Sequence, residues 1–403
     1  MKTTHKLLAI LLIAGAAAHA QVVPEATASS AYMNYAVRYS QTAEFGTNFG
    51  DLQTSSLSGS MQYKNGKERL PLQMRYIGGY TWTITGPSYL TGVFQHLTLS
   101  QGINWRKWGA TVSDDVSYLP QAPTTGFSGI PGIGEPIGEP LPPSDLSILT
   151  LHTHVIYNDA TGNARYTLDR ATTLAGGISS ILVRFPDANG LNINELTANG
   201  VLTRRLGARN SFLGTYRYSQ YSYPDYDFSF HANAGLLGIR RAWNPKITSE
   251  ISAGPELKGS SNSAIIPSST TVAVNASARY HYRLDSASLT YIRGANNGGG
   301  YLLGAESDAV NANYTREFGR KMTIGLTGSY LRTSGLVNNG VINSEFGGAQ
   351  ATRRFGRHFS AFANYTAIDQ TSSSALPSNT LSSLWQVVGF GVSYSPRKIH
   401  LAD

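Results

Sequence analysis

Hydrophobic and polar residues alternate one by one through much of this chain. Between Thr271 and Arg283 the even positions read Val272, Val274, Ala276, Ala278, Tyr280, Tyr282, and the odd ones Thr271, Ala273, Asn275, Ser277, Arg279, His281, Arg283. Met322, Ile324, Leu326, Gly328 and Tyr330 alternate with Lys321, Thr323, Gly325, Thr327 and Ser329. The same period joins Phe228, Phe230, Ala232, Ala234 and Leu236, then Phe359, Ala361, Ala363, Tyr365 and Ala367 with Phe362 out of step, and Phe212, Tyr216 and Tyr218. A period of two predicts β-strands with unlike faces. These stretches run about 10–14 residues, where globular strands average about 5–6 and a tilted strand crosses a bilayer in about 9–11.

Short turns are expected at Leu168-Asp169-Arg170, Gly207-Ala208-Arg209, Asn244-Pro245-Lys246, Leu284-Asp285-Ser286, Gly319-Arg320 and Gly356-Arg357. Longer polar connections fall between them, at 259–269, 295–305, 334–340 and 371–379. Tight turns at one end and long loops at the other are what a transmembrane barrel requires. The prediction is an all-β, antiparallel up-and-down transmembrane barrel. A closed barrel pairs every backbone N–H and C=O between neighbours, the condition for crossing lipid with strands. On this reading the apolar row faces lipid and the polar row faces the lumen. About 16 strands are expected, with 14 or 18 allowed by the even-number rule. Parity is left open by Asp159–Asn163, which reads as a turn too close to the one at 168–170. Tyr216, Tyr218, Tyr280, Tyr282, Tyr314, Tyr330 and Tyr365 suit interfacial girdles, or simply cross-strand packing.

Before residue 160 the pattern is rougher. Expected strands are 57–65, 70–79, 90–101 and 105–118, with Asn65-Gly66 as a hairpin dipeptide. Residues 21–56 read as an N-terminal periplasmic arm or an extra strand, 57–397 as the barrel and 398–403 as a tail. The segment Pro120–Pro143 holds seven prolines and five glycines, so no ladder strand is expected through it. It is either a constriction folded into the lumen, with Glu135, Glu139, Asp114 and Asp115 opposite wall arginines, or an extracellular loop without a role in conductance.

Composition narrows the class. Only 14% of residues are charged, against about 25% in soluble domains. The absence of cysteine removes disulfide scaffolds, thiolate metal sites and Cys nucleophiles. Lys2 and Lys6, an apolar run Leu7–Ala18 and Ala18-His19-Ala20 form an export signal, with cleavage expected after Ala20. The net charge of +8 comes from scattered Lys and Arg, so nucleic acid is not an expected partner. Expected partners are outer-membrane lipid and the barrel-assembly machinery. The expected location is the bacterial outer membrane.

The last alternating stretch, Leu384–Tyr394, ends with Gly389, Val392 and Tyr394 in a Gly-x-x-apolar-x-aromatic arrangement. This resembles the terminal strand of bacterial outer-membrane proteins, the strand that carries their assembly signal. Val387 stands where that pattern has a polar residue, and a tail from Ser395 to Asp403 follows the aromatic. The run Ser113–Pro120, then Thr124–Gly132, with Arg184-Phe185-Pro186-Asp187 and Ala253-Gly254-Pro255 downstream, resembles a group of porin-like outer-membrane β-barrels of acidobacteria. The resemblance implies a barrel and its location, and supplies no substrate or site residue.

The chain offers little chemistry. His152 and His154 lie two apart on one strand, but no acid sits at matching spacing. There is no G-x-S-x-G elbow, and Gly294–Gly300 lacks the Lys-Ser/Thr end of a phosphate loop, reading instead as an exposed flexible loop. No cofactor, metal or catalytic residue is expected, nor is the chain expected to be an enzyme. Arg217, Arg279 and Arg283, with His281, fall on polar parity and are the candidate lumen residues. Arg on the lipid face would cost about 2–4 kcal/mol at the midplane. Arg204, Arg205, Arg240, Arg241, Arg353 and Arg354 lie beside turns and suit headgroup contact. The expectation is a passive porin-like channel for small hydrophilic or anionic solutes; the alternative is a non-conducting structural or polysaccharide-secretion-associated barrel.

Overall fold

The alternating stretches become strands of 12 to 17 residues. The structure, a computed structural model, describes residues 31–46, 51–86, 91–121, 153–186, 190–300, 302–319, 321–337, 340–373, 383–397 and 399–400. The first strands are β1 (Tyr32–Gly46), β2 (Leu52–Lys64), β3 (Leu72–Thr85), β4 (Gly92–Asn104), β5 (Trp108–Gln121) and β6 (Thr153–Thr167). There follow β7 (Thr172–Arg184), β8 (Ile193–Arg205), β9 (Asn210–Tyr223), β10 (Phe228–Asn244), β11 (Ile247–Ser260) and β12 (Ser269–Tyr282). The last are β13 (Asp285–Asn296), β14 (Ala305–Phe318), β15 (Met322–Gly335), β16 (Val341–Phe355), β17 (Phe359–Ser372), β18 (Ser383–Tyr394) and a two-residue β19 (Ile399–His400).

Each strand pairs antiparallel with its sequence neighbours. β18 returns to β1, from Val37 opposite Tyr394 to Gly46 opposite Trp385, and closes a barrel of eighteen strands. β19 extends the same seam by pairing with Tyr32 and Met33. Closure leaves no free sheet edge, so the ladder satisfies its own backbone.

Eighteen strands replace the expected sixteen, for two reasons. Residues 159–163 are not a turn but the middle of β6, paired with β5 and β7 throughout. Residues 32–46, inside the segment read as an arm or an extra strand, are β1. Pro120 is the next-to-last residue of β5, opposite His154, and the ladder runs one residue beyond it to Gln121. Asn65 and Gly66 open a longer connection, with Gly66 at φ 67 and Asn65 Oδ1 accepting the N–H groups of Lys67 and Leu72.

All six expected short turns lie at one end of the barrel, and the long connections at the other. Two of the turns are locked by a side chain. Asp169 Oδ1 accepts the N–H groups of Ala171 (2.6 Å) and Thr172 (2.8 Å), and Asn244 Oδ1 those of Lys246 (2.8 Å) and Ile247 (2.9 Å). The backbone bond from Ala171, then those from Thr172, hold the Asp169 carboxyl below the usual carboxylate range.

The outer surface shows what the barrel is for. Val272, Leu289, Leu326, Phe390 and Val392 point outward and are about half exposed, while their strand neighbours Thr271, Ser288, Thr327 and Gly391 point inward. Trp105, Trp108, Tyr166, Trp243, Phe318, Phe355, Phe359 and Tyr394 form an exposed aromatic ring near the short turns. So large an apolar outer surface is stable in lipid and not in water. Among the described residues no helix is long and apolar enough to cross a membrane; the crossing is made by strands. The outward tyrosines find partners on neighbouring strands: Tyr216 donates to Asn233, Tyr314 to Asp285, Tyr330 to Asn343 and Tyr365 to Gln386. A hydroxyl facing lipid without such an acceptor would be costly.

One strand reverses the expected sense. The register of β10 against β9 places Gly235, Leu237 and Ile239 on the outer face with Tyr216, Gly214 and Phe212. Phe228, Phe230, Ala232, Ala234 and Leu236 therefore point into the barrel, where they are buried. Alternation shows that two faces differ; it does not say which is wet.

Candidate functional site

The inward faces of most strands are hydroxyl- and amide-rich: Ser56, Ser58 and Ser60 on β2, Thr323, Thr327 and Ser329 on β15, Gln350 on β16, Asn364 on β17. The wall from β6 to β10 is different towards the long-loop end. Val155, Val183, Ile193, Tyr221, Tyr223, Phe228 and Phe230 converge there with Phe185, Leu191 and Ile266 from the loops in one buried apolar cluster. Tyr221 and Phe230 stack at 4.5 Å between ring centres. Inside a cylinder, such a cluster narrows the cross-section from one side.

The connection between β13 and β14 folds onto this cluster. Its backbone is glycine-rich for a reason: Gly298 and Gly299 take φ of 75 and 63, and Gly304 takes 78, a region that side chains disfavour. A Cβ on Gly304 would also lie 2.6 Å from a Phe230 ring carbon. Leu302 is buried and Leu303 packs against the cluster.

Polar groups clasp the loop to the wall. Tyr221 Oη donates to the Ala295 carbonyl at 3.1 Å, and Tyr223 Oη to that of Asn297 at 2.8 Å. Asn297 Nδ2 donates to Glu195 Oε2 of β8 at 3.1 Å. Glu256 of β11 is fully buried; its Oε2 accepts the Ala295 N–H at 2.9 Å and its Oε1 receives Arg217 of β9 at 3.0 Å. Lys258 is buried beside it and reaches Glu306 at 2.6 Å, and Arg293 reaches the same carboxylate at 3.0 Å. Glu256 and Lys258 each have an opposite partner, the condition on which a buried charge is tolerated, and Glu195 accepts from Asn297 and Thr197.

This clasp holds one of the expected lumen residues, Arg217, and brings it to a partner the sequence does not suggest. Arg279 also points inward, from the short-turn end of β12. His281 shares its inward parity at the last paired positions of that strand. Arg283 does not face the lumen. β12 ends at Tyr282, and Arg283 occupies the turn at φ 54 with its guanidinium over the Tyr282 ring; parity has no meaning once the strand stops.

Asp114 and Asp115 part company for a related reason, since consecutive strand residues face opposite sides. Asp115 points inward and meets His96 Nε2 at 2.8 Å and Thr98 Oγ1 at 2.9 Å. Asp114 lies on the outward parity and accepts from Asn158 Nδ2 at 2.7 Å. Glu135 and Glu139 lie outside the described residues, as does nearly all of the Pro/Gly-rich segment. Val392 and Tyr394 face outward on β18. Gly389 faces inward, where a Cβ would collide with the side-chain oxygen of Asn364.

Glu195, Glu256, Lys258, Tyr221, Tyr223 and Asn297 are the residues that sequence reading missed. The usable signal was small: Leu302-Leu303, one residue past Gly294–Gly300, apolar where an exposed loop is polar.

No protein-family model matches the chain, and no curated protein does. Among solved structures it is similar to OccK2 (OpdF) of Pseudomonas aeruginosa, with TM-score 0.48, 10% identity, and 92% of this chain and 98% of that one covered. OccK5 (OpdH) of the same organism gives 0.47 at 11% identity, over 92% and 98%. OccAB3 of Acinetobacter baumannii gives 0.45 at 10% identity, over 92% and 99%.

Proposed function

We propose that this chain is a passive porin-like channel of the bacterial outer membrane, admitting small hydrophilic solutes and preferring anions. The observation that carries this reading is a closed eighteen-strand barrel, apolar outside, with a polar inner wall narrowed from one side by a clasped loop. A lumen of this strand number is wide enough for water. The side-chain clasp of residues 295–306 runs to β8, β9 and β11, with a backbone bond from Leu336 just past β15 to Gly304, away from the polar walls of β2, β16 and β17. Inward Arg75, Arg165 and Arg279 favour anions in a low-dielectric pore. The expected export signal, and the likeness of several short runs to acidobacterial barrels, agree with this location. Short turns then face the periplasm and long loops the exterior. Gly389, Val392 and Tyr394, on the strand that completes the seam, would be read by the barrel-assembly machinery.

Planar-bilayer recording of the refolded mature chain tests the reading. Discrete steps of current are expected, larger when residues 298–303 are deleted, and Arg279→Glu should move the reversal potential toward cations. A folded barrel that carries no current at any voltage would sink the channel in favour of a plugged structural role.

A further inference from the structure

The inward-facing charges are not spread evenly along the barrel axis. Lys64, Arg75, Arg165, Arg205, Arg240, Arg279 and Arg354 lie in the third of their strands nearest the short turns. Among the described residues they share that level with Glu250, which pairs with Arg240 at 2.8 Å, and Glu317. From mid-height to the long loops the balance inverts. Asp115, Asp159 and Glu195 face inward there against Arg38, beside the buried ion pairs Arg217–Glu256 and Lys258–Glu306. Asp115 and Asp159 are direct register partners on β5 and β6, and Arg217 is already held by Glu256. Like charges side by side destabilise a strand pair, so this acid-rich level is not explained by stability.

We infer that the lumen is two selectivity zones in series, an acidic zone at the long-loop end and a basic zone at the short-turn end, so that it conducts ions asymmetrically. The inference rests on the channel reading and adds a direction to it. Cations enter easily through the acidic zone and anions through the basic one. A voltage positive on the long-loop side drives both inward, fills the pore with carriers and raises its conductance. The opposite voltage empties the junction between the zones. The preference for anions belongs to the short-turn half alone.

The effect must depend on salt. Screening lengths are about 10 Å at 0.1 M and about 3 Å at 1 M, so the zones act across the lumen only in dilute solution. The test uses the full mature chain in planar bilayers. Insertion side is fixed by Ser263→Cys, an exposed long-loop position in a chain that has no other cysteine, blocked from one chamber with a bulky thiol reagent. At 0.1 M KCl the current with the long-loop side positive should exceed its reverse by about two- to threefold, the ratio for a potential difference of order one kT. At 1 M the two should converge. Diluting KCl on the short-turn side should give an anion-selective reversal potential, and diluting it on the long-loop side a weaker or opposite one. Arg165→Glu with Arg279→Glu should abolish the rectification, with retained heat-modifiable gel mobility as the control for folding. Ohmic steps of equal size at both polarities in 0.1 M, or rectification of the opposite sign, would overturn the two zones while leaving the channel intact. Absence of current from a heat-modifiable barrel would overturn both.

Discussion

Strands β10 and β12 read alike in sequence and do opposite things. In β12 the apolar row Val272–Tyr282 faces lipid and the polar row carries Ser277 and Arg279 into the lumen. In β10 the apolar row Phe228–Leu236 turns inward, and His231, Asn233 and Gly235 face out. The difference lies in what each strand meets inside. β12 lines water; β10 lies under a loop that brings its own leucines, so its inner face is dry. Outward, β10 needs no large side chain at every level, because Tyr216 and Tyr218 of β9 stand over Asn233 and Gly235. A strand in a barrel thus has two partners to satisfy, the membrane and whatever fills the cylinder, and only the first is the same for every strand.

That contrast can be broken by substitution, most severely at its centre. Phe230→Ala empties the middle of the dry cluster and should cost about 3–5 kcal/mol, read by urea unfolding in lipid vesicles, with a larger single-channel conductance. Val272→Ala on β12, which loses only contact with lipid, should cost far less; equal costs would mean that Phe230 faces the membrane after all. Next in size, Ala276→Arg on the outer face of β12 should lower stability by about 2–4 kcal/mol, while Ser277→Arg beside it should be close to neutral. Tyr223→Phe removes the hydroxyl that holds the Asn297 carbonyl and should cost about 1 kcal/mol. It should also add flicker to the open-channel current if the loop is held as the structure shows. The smallest effect is expected at the Asp169 turn, far from both strands. Its carboxyl titrates below the unfolded value, so its contribution is complete above about pH 4 and lost as pH falls through the lowered pKa. Asp169→Asn, which keeps the acceptor oxygen but not the charge, should therefore lower stability slightly at neutral pH and match the parent once pH falls below the lowered pKa; a difference that persists in acid would point to some other role.

The barrel itself was legible because its signals are local and repeated. Period two, the short turns at 168–170, 207–209, 244–246 and 356–357, and the polar loops between them each depend on a few adjacent residues. Strand number was harder, since one misread turn at Asp159–Asn163 shifts the count by a pair. The clasp was not legible. Glu195, Glu256 and Asn297 meet only after three hairpins have folded, and nothing near Glu256 in sequence distinguishes it from Glu250. Arg283 misled because parity was carried one residue past the strand that justified it. Arg279, four residues earlier and inside the strand, points as expected.

The seam between β1 and β18 joins the two extremes of the barrel sequence. Every other hairpin zips between adjacent strands and can begin while later ones are still being made. This junction must wait until the last strand has been made. Until then the sheet has two open margins, each a template for the wrong neighbour. A chain shortened by its final strand would therefore forfeit the whole cylinder rather than one eighteenth of it.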